Sequence, residues 1–288
     1  MLRVKREAGL MQTGAARYRR AMFEKILICG FGTMTGAMVE GWLRAGIPAD
    51  TFTVYHPRGK EVPEGVALVT EWPGTAFDAI LLGVKPHMLD DVAPGLQKCS
   101  GSHTVILSVL AGIELASLRG RFPDVGGVVR FMPNLACALG KAPNGLVAEG
   151  LDTAGKANVT ALAEALGSAE WLEEEAQFDL VTALAGSGPG FVYRFIDALS
   201  AAAAGLGLPQ EQAERLSLQM VEGAAALAVQ SPHAPGELAR RVASPGGMTQ
   251  AGLDVLDADE ALVSLLTDTL KAARDRGAQM AEQAREKG

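Results

Sequence analysis

The sequence predicts an α/β fold: an N-terminal, doubly wound parallel sheet followed by an all-α domain. Three observations carry that prediction. Short apolar runs alternate with helical segments through the first half of the chain. A glycine turn closes the first of these runs, and beyond Glu173 the strand signal gives way to helices alone. The expected organisation is therefore an extension over 1–21, a sheet domain over 22–172 and a helical domain over 173–288.

The first segment carries Arg3, Lys5, Arg6, Arg17, Arg19 and Arg20 against the single acid Glu7. An Arg-rich, acid-poor start can be a transit peptide, but the serine content usual for that class is missing. Met22-Phe23-Glu24-Lys25 leads straight into a strand, so the segment reads as a dispensable, disordered extension with Met22 as an alternative start. Lys25 to Cys29 is a short apolar run closed by Gly30-Phe31-Gly32, the pattern of a buried parallel strand. A helix is expected over 34–43, then strands over 51–55, 79–84, 104–110 and 128–131, with helical segments between them.

Further helices are expected over 178–185, 189–206, 209–229 and 259–285. Pro189 and Pro209 stand where a first helical turn tolerates proline, because that N–H has no partner in any case. The stretch from Phe191 to Leu206 is apolar nearly all round, with Ala201 to Ala204 in its middle. A helix with no polar face needs cover on every side, and a modest helical domain does not supply it. A second subunit is the expected cover.

Composition narrows the function classes. Of 288 residues, 48% are hydrophobic and 20% charged, the proportions of a water-soluble globular protein. The net charge of −7 argues against a nucleic-acid partner. No run approaches the ~18 apolar residues of a membrane span. Cys29, Cys99 and Cys137 are odd in number and widely spaced, which is neither a disulfide framework nor a metal-ligand pattern. A reducing cytoplasm and no metal are the simpler expectations.

Gly30-Phe31-Gly32-Thr33-Met34-Thr35-Gly36 opens a helix directly after the first strand. In a Rossmann-type sheet the first glycine makes the tight turn and the second lets the backbone approach a pyrophosphate at the helix N-terminus. Thr35 occupies the usual third glycine position, with Gly36 one residue late. At the end of the second strand an NAD enzyme places an acid for the ribose hydroxyls. Here Val54-Tyr55-His56-Pro57-Arg58-Gly59-Lys60 has none before Glu61. His56 and Arg58 could meet a 2′-phosphate instead, so NADPH is the expected cofactor, with NADH the alternative. The alternative is that both are merely solvated loop residues. Gly83-Val84-Lys85-Pro86 and Val109-Leu110-Ala111 end two later strands at the edge where doubly wound folds bind ligands. Lys85 serves either the ligand or the sheet edge.

Five motifs stand in one order: the glycine turn, Val84-Lys85-Pro86, Arg130-Phe131-Met132-Pro133-Asn134, Gly186-Ser187-Gly188-Pro189 and Ser244-Pro245-Gly246-Gly247-Met248-Thr249. From Phe23 to the C-terminus the chain resembles the pyrroline-5-carboxylate reductase family. The resemblance implies NADPH-dependent reduction of a small cyclic imine, 1-pyrroline-5-carboxylate, to L-proline. It also implies a homodimer or ring of dimers built on the helical domain. Carried over by residue, the cofactor would contact Gly30, Phe31, Gly32, Thr33, Met34, Thr35, Gly36, His56, Arg58, Gly83, Val84, Lys85, Pro86, Val109, Leu110, Ala111 and Asn134. Substrate would meet Glu175, Gly246, Gly247, Met248 and Thr249, with Thr249 as the catalytic hydroxyl facing the ring nitrogen. The chain departs from the family pattern at Met248, Gly190-Phe191 and Leu135-Ala136.

The residues themselves favour an imine. A ketone reductase needs a positioned proton donor, whereas an imine nitrogen is basic enough to be protonated in water. The lysines of the helical domain, Lys271 and Lys287, lie far from both glycine motifs, its only histidine is His233, and no lysine follows Gly186-Ser187-Gly188 within the next helical turns. The loop from Ser244 to Gly247 is either an anion nest at a helix N-terminus or an ordinary capping loop. Glu175, in a run of three acids, reads equally as a solvated face. A hydroxyacid dehydrogenase of the same architecture and a non-catalytic NADP-binding protein are the rival readings.

Overall fold

The computed structural model describes residues 23–285, so the expected extension over 1–21 lies outside the described residues. Two compact units emerge: 23–186 together with 273–285, and 187–272. Residues 173–186, which the pattern reading joined to the helical domain, sit with the sheet. Among the described residues no helix is long and apolar enough to cross a membrane.

The first unit is built on one eight-stranded sheet. Its strands are β1 (Ile26–Cys29), β2 (Phe52–Tyr55), β3 (Ala67–Val69), β4 (Ala79–Leu82), β5 (Val105–Ser108), β6 (Gly127–Met132), β7 (Ala142–Glu149) and β8 (Gly167–Trp171). The order is β3-β2-β1-β4-β5-β6-β7-β8, and every pairing is parallel except β6 with β7. The first six strands repeat the 3-2-1-4-5-6 order of the doubly wound dinucleotide folds. Helices α1 (Thr33–Arg44), α2 (Leu89–Gln97), α3 (Leu115–Arg121), α4 (Thr153–Ala165) and the short α5 (Phe178–Val181) complete its early part.

Alternation along the strands explains the two layers. Ile26 and Ile28 of β1 enter one apolar cluster with Met38, Val39 and Trp42 of α1 and Leu162 of α4. Leu27 and Cys29 enter the other, with Val92 and Leu96 of α2 and Leu118 of α3. Successive strand residues point to opposite faces, so a run that is apolar throughout demands helices on both sides. Trp42 anchors the first layer. Its ring stacks on Phe52 at 5.3 Å, and its indole N–H donates to the Leu162 carbonyl at 2.9 Å.

The expected strands over 25–29, 51–55, 79–84, 104–110 and 128–131 all exist, though β4 stops at Leu82 and β5 at Ser108. The helix expected over 178–185 is α-helical only to Val181, then widens into a π turn over Thr182–Gly186.

The second unit holds α6 (Gly188–Gly205), α7 (Gln210–Gln230), α8 (Pro235–Val242), α9 (Met248–Asp257) and the start of α10 (Ala261–Arg285). Asp259 and Glu260 take left-handed backbone angles just before α10, which sets its start two residues later than expected. Helices α6 and α7 pack on each other, yet Ser200 is the one fully buried residue of α6. Tyr193 is 67% exposed and Leu206 91%. The apolar helix read from the sequence is therefore present, and a single chain leaves it bare.

Candidate dinucleotide site

A cavity of about 740 Å³ opens at the carboxyl ends of β1, β2, β4 and β5. It lies where the strand order reverses, between β1 and β4, the switch point at which such sheets bind ligands. Its wall contains Gly30, Phe31, Gly32, Thr33, Met34 and Thr35 from the glycine turn, and His56 and Arg58 after β2. Gly83, Val84, Lys85 and Pro86, then Val109, Leu110 and Ala111, complete it. Of the seventeen expected cofactor residues, fifteen line this wall; Gly36 and Asn134 are absent from it.

Each departure has a physical reason. Gly36 lies within α1, and its N–H is spent on the Gly32 carbonyl at 2.9 Å. Asn134 is buried with both ends of its amide committed. It donates to the Ala185 carbonyl at 2.9 Å and accepts from the Ala136 N–H at 2.9 Å. It ties the end of β6 to the π turn instead of facing the cavity.

The glycine turn is shaped by two contacts. Gly30 has φ +92°, and a Cβ there would stand 2.7 Å from the Val84 nitrogen. Only glycine fits both the angle and the approach. A Cβ on Gly32 would meet nothing within 4 Å, leaving the backbone open for a ligand to come close. Thr35, the apparent flaw in the fingerprint, is buried and works as a cap. Its hydroxyl accepts the Gly32 N–H at 2.9 Å and donates to the Gly30 carbonyl at 3.0 Å. Its methyl fits because Gly83 has no side chain: a Cβ there would lie 2.2 Å from Thr35 Cγ2.

Sequence reasoning missed several wall residues: Cys29, Tyr55, Pro57, Met88, Val92 and Leu135. Tyr55 stacks on Trp72 with ring centroids 3.6 Å apart, which stiffens that wall. Burial pushes the Cys29 thiol up to about 12, so it is an inert apolar wall atom at neutral pH. His56 Nδ1 is buried with no hydrogen-bond partner among the described residues.

Glu175 has a different setting from the one expected. Its carboxylate accepts from Arg130 Nη1 at 2.9 Å and from the Leu115 N–H at the start of α3, also at 2.9 Å. Arg130 is 4% exposed, lies 3.9 Å over the Phe178 ring and approaches Asp179 at 3.7 Å. A buried guanidinium demands such partners, so Glu175 is held in a structural ion-pair network. In the second unit, Gly246 has φ +71° and the Gly247 N–H closes a turn onto the Ser244 carbonyl at 2.8 Å. Met248 and Thr249 then form the exposed first turn of α9, with Met248 94% exposed.

The fold and its switch-point cavity define an α/β protein of the Rossmann class with an added helical unit. Residues 175–280 match the family described as pyrroline-5-carboxylate reductase dimerisation. A pyrroline-5-carboxylate reductase of Pseudomonas aeruginosa is 36% identical over 267 residues, covering 90% of this chain and 97% of that one. The solved pyrroline-5-carboxylate reductase of Coxiella burnetii superposes with a TM-score of 0.83 at 28% identity, covering 90% of this chain and 98% of that one. A Plasmodium falciparum pyrroline carboxylate reductase, solved with NADP bound, shares the fold at 24% identity and a TM-score of 0.75, over 89% and 98% of the two chains. The chain belongs to the pyrroline-5-carboxylate reductase family.

Proposed function

We propose that this protein reduces 1-pyrroline-5-carboxylate to L-proline with NADPH, the last step of proline biosynthesis. The observation that carries the reading is the glycine-lined cavity at the switch point, in a chain that aligns with a curated reductase over nearly the whole of both lengths. The residues fit a dinucleotide. Gly30 and Gly83 permit the close crossing of two strand ends, Gly32 leaves an open cradle, and the N–H groups of Thr33 and Met34 begin α1 without helical partners. With no acid at the end of β2, Arg58 stands where an adenosine phosphate would be met. Lys85, Pro86, Val109, Leu110 and Ala111 would hold the nicotinamide end.

Bound there, the reduced nicotinamide supplies hydride. The protein's task is orientation, because the protonated imine needs little acid help. In the helical unit, Gly246 and Gly247 lead into α9, whose first-turn N–H groups at Met248 and Thr249 suit a substrate carboxylate. The Thr249 hydroxyl is proposed to hydrogen-bond the ring nitrogen. Glu175 is assigned to the sheet unit's own ion-pair network, where it holds Arg130 and the start of α3.

Self-association through the helical unit, as a homodimer or ring of dimers, would cover the bare face of α6. We place the protein in the cytoplasm, which suits three free, buried cysteines. NADPH oxidation measured with pyrroline-5-carboxylate against a panel of β-keto acids tests the whole reading. Turnover of the imine alone is expected, and a preference for a keto acid would replace it with a hydroxyacid dehydrogenase. Arg58→Ala should shift the cofactor ratio towards NADH, and an unchanged ratio would remove Arg58 from cofactor choice.

A further inference from the structure

The loop after β2 carries a cation that the dinucleotide reading does not use. Pro57 and Arg58 are the middle of a turn in which the Gly59 N–H donates to the His56 carbonyl at 3.0 Å, and Gly59 leaves it with φ +69°. The turn returns the chain so that Lys60, two residues beyond Arg58, reaches the glycine turn. The Lys60 ammonium donates to the Phe31 carbonyl and lies 5.9 Å from the centre of the Phe31 ring. Phe31 is a wall residue of the cavity, and so is Arg58.

Two cations thus stand beside the same cavity wall, Lys60 fixed to the Phe31 carbonyl and Arg58 exposed in the wall itself, and like charges repel. Several other arginines find acids: Arg121 pairs with Asp90, Arg119 with Glu149, Arg240 and Arg241 with Glu237. Neither Arg58 nor Lys60 has an ion-pair partner among the described residues, although Glu61 and Glu64 are close in sequence. The buried, unpartnered Nδ1 of His56 lies in the same loop. A place with two unmatched cations and an unused polar nitrogen, at the end of the second strand, suits an anion.

Resting on the dinucleotide reading above, we propose that Lys60 is a specificity-determining residue: held on the Phe31 carbonyl, it joins Arg58 in recognising the 2′-phosphate of the cofactor's adenosine. The lysine gives what the arginine cannot, a point charge fixed to the glycine turn itself. Discrimination between phosphorylated and plain ribose would then depend on both loops at once. Removing Lys60 should weaken binding of the phosphorylated ribose while sparing the rest of the nucleotide.

Calorimetric titration with adenosine 2′,5′-bisphosphate and adenosine 5′-monophosphate isolates that phosphate, since the two ligands differ by it alone. Lys60→Met should weaken the bisphosphate about 10-fold or more and the monophosphate by less than about 2-fold. Lys60→Arg should keep most of the selectivity. Equal loss for both ligands would make Lys60 a mere strut of the glycine turn and overturn the proposal, as would no loss for either. A wild-type protein that binds both ligands alike would sink NADPH preference itself, and this proposal with it; selective wild-type binding with an indifferent Lys60→Met sinks only the role of Lys60.

Discussion

The two units of this protein treat apolar side chains in opposite ways. In the sheet unit, β1, β4 and β5 are buried from end to end, and helices on both faces supply the cover. In the helical unit, Val192, Tyr193, Phe195 and Leu206 of one helix and its following turn stand open within a single chain. The sheet unit completes its own core, whereas the helical unit holds half of one. Burial is worth about 25 cal/mol per Å² of apolar surface, so the second unit gains its stability largely from whatever covers it. The contrast teaches where the chain is self-sufficient and where it depends on another copy.

The largest expected effect comes from breaking that dependence. Phe195→Asp would bury an unpaired carboxylate at the proposed subunit contact, a change that costs several kcal/mol when no partner is supplied. Sedimentation should show loss of assembly towards the 30.0 kDa chain, with activity lost alongside. An assembly unchanged by this substitution would move the contact away from α6.

The next effect lies in the chemistry. Thr249→Ala removes one hydrogen bond to a partly charged nitrogen, about 1.5–3 kcal/mol, or roughly 10- to 150-fold in rate. It should fall on kcat more than on the KM for NADPH, and Thr249→Ser should retain most activity. Full activity in Thr249→Ala would leave the loop with carboxylate binding alone.

A smaller effect tests the sheet unit's own polar core. Glu175→Gln keeps the shape but takes the charge from Arg130, and should cost about 1–2 kcal/mol after allowance for partial exposure. The KM for the imine should hardly move. A large rise in that KM with unchanged stability would return Glu175 to direct substrate contact.

The last effect is an alkaline one, confined to pH values well above neutral. Burial raises Cys29 from 9.0 to about 12 and Cys137 to about 11. A raised folded pKa means the stability from these thiols is full below 9 and is lost as pH climbs from there towards 11 and 12. Denaturant midpoints should decline across that window, and less so in Cys29→Ala. A midpoint that rises there would contradict the buried neutral thiols.

The sequence made some parts of this molecule readable and hid others. β1, β4 and β5 were legible because strands buried on both faces are apolar at every position. β7 was not: it opens with Ala142-Pro143-Asn144-Gly145, residues that read as a turn. It is a strand because of distant contacts. Asn144 donates to the carbonyls of Ala142, Ala163 and Ser168, and Gly145 makes room for Val181. β8, Gly-Ser-Ala-Glu-Trp, and the three-residue β3 lie at sheet edges, where the apolar signal fades. At the site, the residues next to the strand ends were legible as neighbours because the parallel sheet brings those ends to one edge, where they line a single cavity. Lys60 was passed over because its link to Phe31 spans 29 positions. Arg130 could have been found: a strand arginine flanked by Val128, Val129 and Phe131 calls for a buried acid, and the run from Glu173 to Glu175 supplies one.

The pairing of Thr35 with Gly83 carries a consequence for anyone altering this protein. The two residues share one small volume, although 48 positions separate them in the chain. Read along one loop, Thr35 is a defect to be repaired to glycine. That repair would leave a hole beside Gly83 and strip the Gly32 N–H and Gly30 carbonyl of the hydroxyl that joins them. A side chain at Gly83 would also stand 2.8 Å from the Gly30 carbonyl oxygen, so the two positions resist change both singly and as a swap.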